Sequence, residues 1–84
     1  MAELRYSKQA AKYLRRMQNT QAQKMRQALR NIASGSDKGL NIKWMDNRKV
    51  YRLRQGNIRA VYAFRDGGKT VLVVKIGSRG DIYK

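Results

Sequence analysis

Hydrophobic and polar positions along this chain change period three times, and each change marks an element. Residues 2–6, AELRY, alternate, with Leu4 and Tyr6 on one side and Arg5 on the other, the period-two pattern of a short strand. From Ala10 the period lengthens. Ala10, Tyr13, Leu14 and Met17 recur at the i, i+3, i+4, i+7 spacing of an amphipathic helix, with Lys8, Lys12, Arg15 and Arg16 on the opposite side and Ser7 placed as its N-cap. Gln18-Asn19 interrupts the stripe. Thr20 then reads as the cap of a second helix whose buried positions are Ala22, Met25, Leu29, Ile32 and Ala33. Ser34-Gly35-Ser36 ends it, with glycine suited to the left-handed position after the last turn.

Between Asp37 and Asn47 the pattern weakens. Leu40, Ile42 and Trp44 alternate, which allows a short strand bounded closely by Gly39 and by Asp46-Asn47. Trp44 has two readings there: a plug for the edge of the core beneath a loop, which is the expectation, or a ring for stacking on a nucleobase.

The C-terminal stretch, KVYRLRQGNIRAVYAFRDGGKTVLVVKIGSRGDIYK, organises the rest. In Val50–Arg54, Tyr51 and Leu53 alternate with Arg52 and Arg54. A tight turn at Gly56-Asn57 pairs Gln55 with Ile58, Arg54 with Arg59, Leu53 with Ala60 and Arg52 with Val61. Directly paired residues share a face, so Arg52, Arg54 and Arg59 form one cationic patch. Like charges set opposite one another destabilise a sheet, and their accumulation points to a polyanion. A second turn, Asp66-Gly67-Gly68, leaves room for a bulge and leads into Thr70–Ile76. That run is apolar at nearly every position, as in a strand central to its sheet, with Lys75 interrupting it. The elements give one α+β domain over residues 1–84, in the order β-α-α-β-β-β: a first strand and a helical hairpin packed on a small, mainly antiparallel sheet. The helices are expected to cover the face of Tyr51, Leu53, Ala60 and Tyr62, leaving the arginines open.

Composition sharpens this picture. The chain has 84 residues and no Cys or His, so disulfides, zinc fingers and histidine acid/base chemistry are excluded, and no metal or small-molecule cofactor is expected. Lys and Arg number 20 against 5 Asp and Glu, a net charge of +15. Residues 1–34 carry eight cations and one carboxylate, and residues 35–84 carry twelve and four, so the charge belongs to the whole fold. Solubility alone asks for a net charge of about 2–8 in a small domain. The excess steers the chain towards nucleic acid, an anionic membrane or an acidic protein, with nucleic acid or the ribosome as the expectation. The N-terminus has no run resembling a signal peptide, and no segment approaches the ~18 apolar residues of a membrane span, so a cytoplasmic setting without membrane contact is expected.

The residues YRLRQGNIRAVY (51–62), VLVVKIGSR (71–79), the closing Asp-Ile-Tyr and the preceding YSKQAAKYLRRM together resemble the RelE/ParE toxins of bacterial toxin–antitoxin systems. That resemblance implies a RelE-like fold and, in the RelE branch, a ribosome-dependent endoribonuclease. Such an enzyme cuts mRNA by attack of a 2′-hydroxyl on the adjacent phosphate, leaving a 2′,3′-cyclic phosphate and a 5′-hydroxyl. It implies catalytic roles for Arg52, Arg54, Arg59, Arg79 and Tyr83, and RNA contacts from Lys49, Lys75 and Lys84. Arg59 would hold the scissile phosphate, Arg79 would face the leaving group and Tyr83 would stack on a base. A cognate antitoxin, the ribosome and mRNA are the implied partners. The chain departs from the RelE pattern at 52 and 54, where that branch often carries lysine. Arginine, with a pKa above about 12, is a poor proton acceptor, so the general base is unassigned, with Lys75 and Tyr83 as candidates. Gyrase inhibition, as in the ParE branch, and a non-catalytic nucleic-acid-binding module are the alternatives.

Overall fold

The computed structural model describes residues 2–78. The elements follow in the order β1 (Glu3–Tyr6), α1 (Lys8–Arg16), α2 (Asn19–Ala33), β2 (Asn41–Met45), β3 (Val50–Gln55), β4 (Ile58–Arg65) and β5 (Thr70–Ser78). The five strands form one sheet in the order β1-β5-β4-β3-β2, antiparallel except for the β1–β5 pair. The α+β class and mainly antiparallel sheet therefore hold, with one strand added: the Leu40–Trp44 alternation, which the β-α-α-β-β-β order left out, becomes the edge strand β2.

α1 is capped as its sequence asks. The Ser7 hydroxyl oxygen accepts from the Ala10 N–H at 3.1 Å. α2 departs from expectation at its start. Its N-cap is Gln18, without a side-chain bond, and the helix begins at Asn19, placing Thr20 inside the first turn. The Gln18 carbonyl already accepts from the Ala22 N–H at 2.9 Å, so backbone geometry sets the N-cap two residues before the hydroxyl that was to provide it. Its end is as read. Gly35 takes φ +88°, and the Gly35 and Ser36 N–H groups donate to the carbonyls of Ile32 and Asn31 at 3.0 and 2.8 Å, closing the last turn.

The helices lie over one face of the sheet, α1 against β5 and α2 against β1 and β5. Met25, Leu29, Leu53, Val71, Val73 and Ile76 are the largest side chains wholly buried between the layers. Their burial is the main stabilising term, at roughly 25 cal/mol per Å² of apolar surface removed from water. Coverage stops short of the outer strands. Tyr62 is buried, but Tyr51 is only half-buried.

The second hairpin holds its irregularity within a strand, not in its turn. Val61 pairs with Lys75 and Tyr62 with Val73, so Val74 is the extra residue of a bulge in β5. Beyond the bulge β1 has ended, and α1 supplies the missing partners. The Ser7 hydroxyl donates to the Val74 carbonyl at 2.7 Å. The Gln9 amide donates to the Ile76 carbonyl at 2.7 Å and accepts from the Ile76 N–H at 2.9 Å. Gln9 thus stands in for the next residue of a strand, satisfying backbone groups that would otherwise be orphaned.

Candidate functional site

The β3–β4 hairpin has the register read from its turn: Gln55 opposite Ile58, Arg54 opposite Arg59, Leu53 opposite Ala60 and Arg52 opposite Val61. Gly56 takes φ +62° at the first turn position, where a Cβ would be strained, and Asn57 keeps negative φ. Strand pairing extends the register into two rows across the open face. One row runs Lys43, Arg52, Val61, Lys75 over β2, β3, β4 and β5, and the next runs Asn41, Arg54, Arg59, Gly77. Four strands thus converge five cations, Lys43, Arg52, Arg54, Arg59 and Lys75, and β2–β5 carry no carboxylate.

Burial within these rows is graded. Arg54 and Lys43 are exposed, while Arg52, Arg59 and Lys75 are half-buried. Val61, on this face and away from the helices, is only 7% exposed. Its row neighbours Arg52 and Lys75 are themselves half-buried, as long side chains are when their aliphatic stems cover apolar surface. The buried Nε of Arg52 fits a side chain lying along the sheet. Arg54 and Arg59 are directly opposed, and the Cβ atoms of such a pair sit about 4.5–5.5 Å apart, so both guanidiniums can reach one phosphodiester. Planar forks at that spacing hold phosphate oxygens bidentately and neutralise charge that accumulates on them.

Not every residue named from the sequence joins this surface. Lys49 lies in the turn before β3, with φ +58°, at the end of the strand away from Arg54. At about 3.4 Å per residue it stands some 17 Å along the strand from Arg54. Arg79, Tyr83 and Lys84 fall outside the described residues. Lys43 was missed. The signal was present, because Ile42 and Trp44 place Lys43 on the opposite parity, but assigning its partner needed the path of the 46–49 turn. Among the described residues no three carboxylates come together as a metal site.

Trp44 corrects the plug expectation. It sits on the edge strand, 45% exposed, on the helix-side face of the sheet beyond the reach of the helices. Its ring centroid is 4.8 Å from that of Tyr51. Tyr51 stacks on Tyr62 at 5.4 Å and meets Phe64 edge-on at 5.7 Å. Tyr51, Tyr62 and Phe64 line a groove of about 490 Å³ between the sheet and the end of α2, together with Ile32, Ile42 and Lys69, and Trp44 adjoins it through Tyr51. At its floor burial pushes the Tyr62 hydroxyl up to about 12, with smaller contributions from Tyr51 and Asp37.

A helical hairpin on a five-stranded mixed sheet is the fold of RelE-like toxins. The chain belongs to the ParE toxin family of type II toxin–antitoxin systems, parDE, whose model matches residues 4–83, within the RelE/ParE superfamily. It is similar in fold to the RelE–RelB complex of Pyrococcus horikoshii OT3 (19% identity over 95% of this chain and 97% of that one, TM-score 0.77). The RelBE2 toxin–antitoxin complex of Mycobacterium tuberculosis is 15% identical over 93% and 98% of the two chains, with a TM-score of 0.71. A metal-bound toxin from Helicobacter pylori is 14% identical over 99% and 100%, with a TM-score of 0.78. No curated protein matches the chain.

Proposed function

We propose that this toxin is a ribosome-dependent endoribonuclease that cleaves mRNA. The observation that carries this reading is the convergence of Arg52, Arg54, Arg59, Lys43 and Lys75 on one sheet face over β2–β5, four strands that carry no carboxylate. In this mechanism the 2′-hydroxyl of one nucleotide loses its proton and attacks the adjacent phosphorus. The P–O5′ bond then breaks, giving a 2′,3′-cyclic phosphate and a 5′-hydroxyl. Arg59 and Arg54 grip the non-bridging oxygens and stabilise the added negative charge of the phosphorane. Arg52 and Lys43 hold the flanking phosphates. In the same reading Arg79 neutralises the departing 5′-oxygen and Tyr83 orients a base. The arginines act through charge and geometry, because their guanidiniums do not give up a proton near neutral pH. The 2′-hydroxyl's proton therefore goes to a group other than these arginines.

Primer extension on a defined mRNA, with and without programmed ribosomes, tests this. Cleavage appears only with ribosomes, and Arg59→Gln reduces it by about a hundredfold or more, the effect of removing one transition-state donor. A folded protein that cuts in neither condition overturns the reading. A second reading is inhibition of DNA gyrase by protein contact, which the ParE resemblance implies and membership of the ParE toxin family keeps beside the first. That activity would appear as lost supercoiling and survive Arg59→Gln.

A cognate antitoxin is part of the same proposal. Two of the similar solved structures are toxin–antitoxin complexes, and a net charge of +15 favours an acidic segment laid over the arginine face. Co-expression with such a partner should abolish growth arrest.

A further inference from the structure

The arginine rows and the aromatic groove lie on opposite faces of the sheet, yet they meet at one edge. On β2 the consecutive residues Lys43 and Trp44 point to opposite faces, and on β3 Arg52 and Tyr51 do the same. β2 is the outermost strand, so only its width separates the end of the cationic row from the rings. Beyond that edge lies the aromatic cluster, with Trp44 and Phe64 each 45% exposed on either side of Tyr51. Exposed Lys69 and Asp37 are the charged residues of the groove's lining. Large aromatic surface exposed on so charged a chain is out of place without an occupant.

We infer that the groove is a base-stacking subsite for single-stranded RNA. In this arrangement a strand held by its phosphates on Arg54, Arg59, Arg52 and Lys43 turns round the β2 edge and lays its bases against Trp44 and Phe64. Every base has a π-face and every linkage a charge, so aromatic rings continuous with a cationic row suit single-stranded nucleic acid of any sequence. Continuity with the arginine rows favours RNA over an amphipathic protein helix. A helix would fill the groove but has no need of Lys43 and Arg52 at the adjoining edge. The inference rests on the RNA-binding reading of the arginine face, but not on cleavage. The groove extends the contact beyond the scissile phosphate and makes affinity depend on RNA length.

Trp44 is the chain's only tryptophan and its ring centroid lies 4.8 Å from that of Tyr51 in the groove lining, so its fluorescence reads this edge of the sheet. The isolated protein would be titrated with oligouridylates of about 4 and about 16 nucleotides, the range of site sizes on comparable platforms. Inorganic polyphosphate, which carries charge without bases, and an acidic Leu/Glu amphipathic peptide complete the set. The long oligonucleotide should quench Trp44 strongly and the short one weakly, while polyphosphate binds without quenching. Phe64→Ser should weaken the long RNA about fivefold or more, the loss of one stacked base, and leave polyphosphate binding unchanged. If RNA and polyphosphate affect Trp44 alike, or if only the acidic peptide does, the groove is not an RNA subsite. The wild-type titration needs no variant, so misfolding of Phe64→Ser would not remove the test. Stacking without cleavage would leave this inference standing while the endoribonuclease reading fell, and cleavage without quenching would do the reverse.

Discussion

The two faces of the β3–β4 hairpin are built from alternating residues of the same twelve-position stretch, and they do opposite things. On one face Leu53, Ala60 and Tyr62 are buried beneath the helices. On the other, Arg52, Arg54 and Arg59 stand together with no layer above them among the described residues. The first face stabilises the fold through apolar burial. The second works against it, because opposed like charges in a sheet cost about 0.2–1 kcal/mol per pair. Where a sheet retains such a cost on one face, that face is where its function should be sought, and the buried face supplies the stability that tolerates it.

The comparison can be broken most severely on the buried side. Leu53 is 0% exposed, and Leu53→Ala should lose about 2–5 kcal/mol in urea unfolding, enough to threaten a domain of this size. A subtler loss should appear at alkaline pH. Free tyrosine titrates near pH 10, whereas Tyr62 in the folded chain is pushed up to about 12, chiefly by burial. Below pH ~10 both states keep the proton and this stability is complete. Between ~10 and ~12 the unfolded chain has lost a proton that the folded chain retains, so stability falls as pH rises. Denaturation curves collected across that range should show the decline, and Tyr62→Phe should flatten it. The smallest expected effect has the opposite sign. Arg54→Gln removes one of two opposed charges and should leave stability unchanged or raise it by about 0.2–1 kcal/mol. In the same variant the salt slope of single-stranded RNA binding should shrink by about 0.7, one phosphate contact. A destabilised Arg54→Gln with an unchanged salt slope would show that the arginine face is structural after all.

Legibility differed along the chain for identifiable reasons. α1, the Gly35 helix end and the first hairpin depend on local rules, namely hydroxyl capping, a left-handed glycine and a two-residue turn that fixes pairing, and all three appear as read. The start of α2 was misplaced because Gln18 begins a helix without a side-chain cap, which leaves no residue signature. β2 was faint because five residues on a sheet edge carry little periodicity, and with it the site lost Lys43 and the true setting of Trp44. Arg52, Arg54 and Arg59 were found together because one turn relates them. Lys75 and Lys43 joined them only through pairings of β4 with β5 and β2 with β3.

By itself the sequence determined that this chain would be a very basic α+β unit with a helical hairpin, an arginine-bearing β-hairpin and neither thiol nor imidazole chemistry. Composition and short-range periodicity carry that much, since both act over a few residues. Tertiary structure decided the rest. The Val74 bulge sets which β5 residues face the arginines, and the order β1-β5-β4-β3-β2 carries Lys43 to the end of their row. The same order leaves the outer strands beyond the helices, so that Tyr51 and Phe64 line a groove, with Trp44 beside Tyr51, instead of closing the core. Strand order and bulges arise from the competition of the whole chain for burial and hydrogen bonds, and no single stretch of residues contains that result.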